Sequence, residues 1–220
     1  MPPVVRTLVF VEIAMYVALL VLKALGISDA VLSATVFSPS EFLSGRVWTP
    51  LTYLWVHLPQ DLFGVLFGVL ILWSLGGLFA RRWRPAHFLF FYVATAALGA
   101  LFDVLLYLVL PTRFSAACAG TSAASFGLFM AFYYVFGDAP VSVFGSPPMK
   151  GKTVFYLIIG LEAVLFLAGN NPFFGVQLGG MAAGWLLVTG RWRPRKLNAW
   201  FETIASRFKK NKRSRFRVVN

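Results

Sequence analysis

The sequence has little of the chemistry that builds disulfides or metal sites. Its 220 residues include one cysteine, Cys118, and two histidines, His57 and His87. A single cysteine excludes a disulfide within the chain and a cysteine-based metal centre, and two histidines are too few for a histidine cluster. The sequence therefore predicts no metal site and no cofactor.

Charged residues are also scarce, at 13% of the chain, whereas 59% of it is hydrophobic and the mean hydropathy is +0.75. A soluble domain is nearer half apolar, so this composition indicates an all-α membrane protein. The net charge of +12 does not predict nucleic-acid binding, because eleven of the twenty basic residues lie after Gly190. A basic tail behind a membrane domain is more typical of orientation and lipid contact.

Six apolar runs predict six transmembrane helices. They cover residues 8–25, 62–79, 88–110, 120–136, 154–168 and 176–189. Residues 26–61, between the first two runs, are too polar to span a bilayer. They carry Trp48, Tyr53 and Trp55, aromatic residues that suit a membrane–water interface. We therefore expect a long, structured first loop that is partly embedded in the membrane.

The basic residues predict an orientation. With six spans, both termini lie on the same side of the membrane. Arg6, the arginines after the second run, the lysines after the fourth run and the basic tail all lie on that side. Only Lys23, Arg46 and Arg113 fall on the other side. Because positively charged segments stay in the cytoplasm, we expect both termini to be cytoplasmic. The chain divides into a membrane domain, residues 1–190, and a basic tail, residues 191–220.

The tail has a helical pattern of its own. Apolar residues recur three and four positions apart, with basic residues between them; the pattern includes Trp200, Phe201, Phe208, Lys209 and Lys210. This is typical of a basic amphipathic helix lying on an anionic cytoplasmic leaflet, the alternative being an ordinary solvated helix.

Two runs of small residues stand out within the apolar sequence. One contains Gly120, Ala123 and Gly127, and the other contains Gly180 and Gly184. Small residues four apart let membrane helices approach closely, and helix packing alone would explain each run. A polar residue stands at the head of each: Ser122 in the first and Gln177 in the second.

These two runs resemble the paired motifs of the rhomboid family. Gly120-Thr121-Ser122-Ala123 resembles the Gly-x-Ser-Gly of the family's fourth helix, and Gln177-Leu178-Gly179-Gly180 resembles the His-x-x-Gly of its sixth. Trp48 in the first loop and Gly76-Gly77 late in the second run agree with the family pattern. The resemblance covers roughly residues 8–190 and implies a six-transmembrane-helix bundle. A basic tail fits many bacterial members, which predicts the bacterial inner membrane.

Active rhomboids are intramembrane serine proteases, and the resemblance makes Ser122 the remnant of their nucleophile. A serine hydroxyl needs a base to take its proton, and in the family the sixth-helix histidine is that base. Gln177 stands in its place, and an amide cannot accept the proton. His87 begins the third run on the opposite side from Ser122, and His57 precedes the second run.

Further departures from the family pattern point to lost chemistry. Aligned on Gly76-Gly77, the family's oxyanion-binding histidine and asparagine fall at Gly64 and Gly68, which have no side-chain donor. Asp61 nearby would repel an oxyanion. Losing one oxyanion donor costs about 10²–10³ in rate. The sequence therefore predicts a rhomboid pseudoprotease that binds transmembrane segments of client proteins.

Three open questions accompany this reading. Glu162, in the middle of the fifth run, is either a contact for a client or a structural hydrogen-bond partner of a neighbouring helix. An active protease is the alternative function, with Ser122 as nucleophile and His57 or a carboxylate as an unusual base. A transporter or channel is a third class, but Glu12, Asp103 and Glu162 are few for a polar pathway. The sequence does not indicate an oligomeric state.

Overall fold

The computed structural model describes residues 1–142, 147–169 and 171–190. Within these residues the chain is mostly helical, as the composition predicts. A compact unit covers Met1–Val188. The tail that carries Trp200, Phe201, Phe208, Lys209 and Lys210 lies outside the described residues, so the amphipathic helix stays a prediction.

Six apolar helices lie at the predicted positions, each with bounds a few residues from those expected. Helix α1 covers Pro3–Ala24, α5 covers Leu62–Ile71, α7 covers Pro85–Val109, α8 covers Ser122–Phe136, α9 covers Gly151–Leu167 and α10 covers Phe174–Thr189. Helix α5 continues through a π-helical turn, Leu72–Gly76, into α6, Gly77–Ala80. Proline begins both α1 and α7, at the helix position where its missing N–H costs nothing.

Three of the described helices are long and apolar enough to cross a bilayer by themselves. They cover Pro3–Ala24, Leu62–Ala80 and Pro85–Val109. Helices α8 and α10 are shorter apolar helices, with 15 and 16 residues, and α9 has 17 residues. The all-α membrane bundle is therefore confirmed as a fold class, and the count of six spans stays a prediction.

The first loop is structured. Between α1 and α5 it forms three short helices and one 3₁₀ turn: α2 at Ser28–Thr35, α3 at Pro39–Leu43, α4 at Thr49–Thr52 and the turn at Tyr53–Trp55. Backbone hydrogen bonds of 3.0 and 2.6 Å join Phe37 to Cys118, just before α8. The buried Tyr53 hydroxyl donates to the Ala96 carbonyl oxygen on α7 at 2.8 Å. These bonds hold the loop against the segment that precedes Ser122.

A short hairpin follows α8. Strand β1, Pro140–Val141, pairs antiparallel with β2, Met149–Lys150, immediately before α9. The pairing joins the ends of α8 and α9, and the predicted turn-rich segment between them is described only at its two ends.

Glycine lets α7, α8 and α10 pack backbone against backbone. A Cβ atom added at Gly184 would lie 2.6 Å from the Gly127 carbonyl oxygen, and one added at Gly180 would overlap the Ala123 carbonyl oxygen. A Cβ atom at Gly99 on α7 would lie 2.7 Å from the Val176 carbonyl oxygen. Close packing at these points fixes where the first turns of α8 and α10 lie, and Ser122 and Gln177 belong to those turns.

Candidate functional site

A cavity of about 170 Å³ opens beside the first turns of α8 and α10. Ser122 and Gln177 both line it, although 55 positions separate them in the sequence. Gly64 and Gly68, on α5, line it as well. The structure thus brings into one cavity the four positions that the resemblance associates with nucleophile, base and oxyanion binding.

Ser122 is the first residue of α8 and is half-buried. In the described part of the chain its hydroxyl has no hydrogen-bond partner, and nothing joins it to Gln177. Ser125 and Phe126, three and four positions later, line the same cavity, as expected for one face of a helix. Ala123 and Gly127, on another face, contact α10 and α7 instead.

Gln177 belongs to a polar cluster with Asn171 and Glu162. The Asn171 side-chain nitrogen donates to Glu162 Oε2 at 2.6 Å and to Gln177 Oε1 at 2.9 Å. The Asn171 oxygen accepts a bond of 3.1 Å from the Phe173 backbone N–H, a short side-chain turn that leads into α10. Asn171 therefore holds the Gln177 amide in a defined position and links α9 to α10.

A second polar cluster lies behind the cavity and is fully buried. The Thr121 hydroxyl donates to Glu12 Oε1, on α1, at 3.1 Å. His57 Nε2 lies 3.4 Å from the same oxygen, and Glu12 and His57 are 4% and 1% exposed. Neither ring nitrogen of His57 has a hydrogen-bond partner in the described part of the chain, nor does Glu12 Oε2. This cluster joins α1, the first loop and the start of α8.

Two glycines make room for the buried cluster. A Cβ atom at Gly68 would lie 2.5 Å from Glu12 Oε1, and one at Gly120 would lie 2.9 Å from His57 Cδ2. Gly120 also has a φ of +97°, a backbone conformation that favours glycine. At Gly68, where the resemblance places the family's asparagine, the space that a side chain would need is already occupied by Glu12 and Thr121.

Burial shifts the pKa of two groups in the loop that borders the cavity. It lowers the pKa of His57 to about 4, so the imidazole is neutral at neutral pH. Burial raises the pKa of Asp61, although a hydrogen bond from the Gly64 backbone N–H counteracts part of the rise. Both residues line the cavity. A neutral imidazole offers one ring nitrogen as an acceptor, which is the form a general base needs.

Two other titratable residues that the sequence analysis named, His87 and Asp103, do not line the cavity. His87 is exposed and stacks edge-on against Trp83, at the start of α7. Asp103 is buried, lies against Gly175 of α10 and does not line the cavity. Among residues 1–142, 147–169 and 171–190, no group of three or more His, Cys, Asp or Glu side chains is arranged to hold a metal ion.

Sequence reasoning missed three contributors to the two clusters. Nothing in the sequence pattern singled out Asn171, yet it bridges Glu162 and Gln177. The contacts of Glu12 with Thr121 and His57 were also unexpected. Position 12 carried a signal, since a carboxyl in an apolar helix demands a partner, but the sequence did not identify that partner.

The comparisons with known proteins agree with this architecture. The model of the Rhomboid domain family matches residues 44–194, more than half of the chain. No curated protein matches the chain. With its apolar helices, and with Ser122 and Gln177 placed in one cavity, the chain is an integral membrane protein that belongs to the rhomboid family.

Proposed function

We propose that this rhomboid-family protein is a pseudoprotease that binds transmembrane segments of client proteins. One observation carries the proposal: Gln177 lines the cavity of Ser122, with its amide oxygen held by Asn171. Serine catalysis in this family requires a proton acceptor at that position, and an amide is not one. The cavity keeps the form of an active site without its base.

The oxyanion side of the cavity supports the same conclusion. Gly64 and Gly68 offer no side-chain donor there, and the Asp61 carboxyl group lines the cavity. Since each lost oxyanion donor costs about 10²–10³ in rate, and a carboxylate repels developing negative charge, the transition state for acyl transfer is poorly stabilised.

The helices beside the cavity present apolar surfaces suited to a membrane helix. On α5, Phe63 is 83% exposed, and Leu66 and Phe67 are also exposed. On α9, Tyr156, Leu157 and Leu161 are exposed. By resemblance, substrates of the family enter between these two helices, so a client helix would lie against these side chains. In lipid its association depends on packing and polar contacts.

Labelling with a fluorophosphonate serine probe tests the loss of catalysis. Purified wild type, Ser122→Ala and Gln177→His are compared in detergent, each shown to be folded by its thermal transition. We expect no labelling of wild type, and labelling of Gln177→His if the restored imidazole reaches Ser122. Labelling of wild type that Ser122→Ala abolishes would refute the pseudoprotease proposal.

One observation favours the alternative, an active protease with an unusual base. His57 lines the same cavity as Ser122, is neutral at neutral pH, and has the Glu12 carboxyl oxygen 3.4 Å from Nε2. A serine, an imidazole and a carboxylate are the components of a catalytic triad. In the same labelling experiment, this alternative predicts that His57→Gln removes wild-type labelling as completely as Ser122→Ala does.

We further propose that the termini are cytoplasmic and that the basic tail binds the anionic inner leaflet, in the inner membrane of a bacterium. The density of lysine and arginine after Gly190 supports this placement. Removing residues 197–220 should weaken co-sedimentation with anionic vesicles while leaving the thermal transition of the membrane domain unchanged. Equal binding of the truncated protein would refute the role of the tail.

A further inference from the structure

Two of the side chains that line the cavity are acidic. The Asp61 and Glu162 carboxyl groups both line it, Asp61 immediately before α5 and Glu162 within α9. Asp61 accepts a bond from the Gly64 backbone, and Glu162 accepts one from Asn171 and also interacts with Gln177. A carboxylate can accept about four bonds, so both groups keep capacity for a ligand. Among the described residues that line the cavity, none is a lysine or an arginine.

His57 adds an independent acceptor. It is 1% exposed, it lines the cavity, and in the described part of the chain neither ring nitrogen has a hydrogen-bond partner. Buried polar side chains are normally hydrogen-bonded, so an unpartnered one at a cavity wall indicates a missing donor. The imidazole and the two carboxyl groups would all be satisfied by the same kind of group, one with several N–H donors.

The two carboxyl groups of the cavity also favour a ligand with N–H donors and a positive charge. Carboxylates near a lipid phase are expensive unless a cation or a donor accompanies them. Arg46, in the first loop, pairs with Glu41 at 3.1 Å, and Lys152 pairs with Asp138 at 2.9 Å, so neither serves the cavity. Since no described residue that lines the cavity is a lysine or an arginine, a ligand that carries a positive charge would complement Asp61 and Glu162.

We propose that the cavity selects client helices that carry a lysine or arginine side chain, whose N–H groups bind Glu162, Asp61 and His57. This inference rests on the proposed client binding and names the class of client. The apolar surfaces of α5 and α9 accommodate the body of the helix, and the cavity beside Ser122 accommodates its cationic side chain. Charge-assisted hydrogen bonds of this kind are about twice as strong as neutral ones.

Photo-crosslinking to two synthetic helices tests the proposal. Both are leucine-rich single-span peptides with one diazirine, and they differ only in a lysine or a leucine placed a quarter of the way along the span. Each is reconstituted with the full chain in neutral lipid vesicles. We expect the lysine helix to crosslink about tenfold more than the leucine helix, the ratio that corresponds to about 1.4 kcal/mol.

Two variants identify the groups responsible. Glu162→Gln combined with Asp61→Asn keeps the shape of both side chains and removes both charges, so the preference for lysine should fall to near onefold while leucine-helix crosslinking stays unchanged. Glu41→Gln removes a carboxylate that pairs with Arg46 in the first loop and does not line the cavity, and it should keep the preference. A preference that survives Glu162→Gln with Asp61→Asn would overturn the proposal.

The outcomes separate this inference from the function on which it rests. Equal crosslinking of both helices by wild type would refute the selection of cationic clients and keep client binding. Crosslinking of neither helix, above the level seen with an unrelated membrane protein, would refute client binding itself.

Discussion

Helix α8 has one closed side and one open side, and both depend on small residues. On the closed side Ala123 and Gly127 bring its backbone against Gly180 and Gly184 of α10, with no space for a side chain. On the open side Ser122 and Ser125 border a cavity. Small residues thus have two effects on α8. They allow close backbone packing against α10 on one side, and they leave room for a cavity on the other. We expect stability to depend mainly on the closed side and binding on the open side.

The largest effect should come from filling the closed side. Gly180→Leu places a side chain where the Ala123 carbonyl oxygen already lies, and such overpacking should lower the free energy of unfolding by about 3 kcal/mol or more. Steric trapping or thermal unfolding in detergent measures it. Gly160→Leu, on α9 with no atom within 4 Å of an added Cβ, is the matched control and should be neutral or slightly stabilising. Equal losses of unfolding free energy in the two variants would show that close packing on the closed side of α8 is not what stabilises the fold.

A pH titration tests the buried cluster behind the open side. The pKa of His57 is about 4 in the folded protein, below its ordinary value of 6.5, so the unfolded chain binds its proton more tightly. Stability is therefore complete above pH 6.5 and falls as the pH drops towards 4, by up to about 3 kcal/mol. The carboxyl groups of Glu12 and Asp61 face this region, and a charged Glu12 would reduce the loss.

The control for this titration is His57→Asn. It removes the titrating group, so the slope of unfolding free energy between pH 4 and 6.5 should become shallower. An unchanged slope would mean that His57 does not titrate differently in the folded and unfolded states.

A smaller effect is expected at the edge of the cavity. Asn171→Leu removes the bonds to Glu162 and Gln177, and we expect a loss of about 1–2 kcal/mol. A double-mutant cycle with Gln177→Leu isolates the interaction free energy between Asn171 and Gln177. Since the two residues are bonded, their effects should be non-additive by at least about 0.5 kcal/mol. Additive losses would show that the Asn171–Gln177 bond contributes nothing to stability.

The smallest effect on stability is expected for Ser122→Ala. The hydroxyl has no partner in the described part of the chain, and alanine is the better helix former at the start of α8. The free energy of unfolding should change by less than about 0.5 kcal/mol. A larger loss, measured in the detergent used for Gly180→Leu, would show that the open side also supports the fold.

The sequence predicted the fold better than it predicted the contacts of the site. Apolar runs identified the six helices to within a few residues, because a run of apolar residues is a local property. The bond from Thr121 to Glu12 joins residues 109 positions apart, and no local pattern encodes it. Asn171 had the same difficulty, since its place before Pro172 explains a helix break but not which side chains its amide reaches.

The bond between Glu12 and Thr121 also has a consequence for the order of synthesis. The ribosome makes α1 first, so Glu12 enters the membrane 109 residues before Thr121 exists. An 18-residue stretch of α1 has a mean hydropathy of 2.2, so the helix is strongly apolar despite this carboxyl group. Helix α1 is therefore made before this contact can form, and the bond is completed only when the start of α8 has been synthesised.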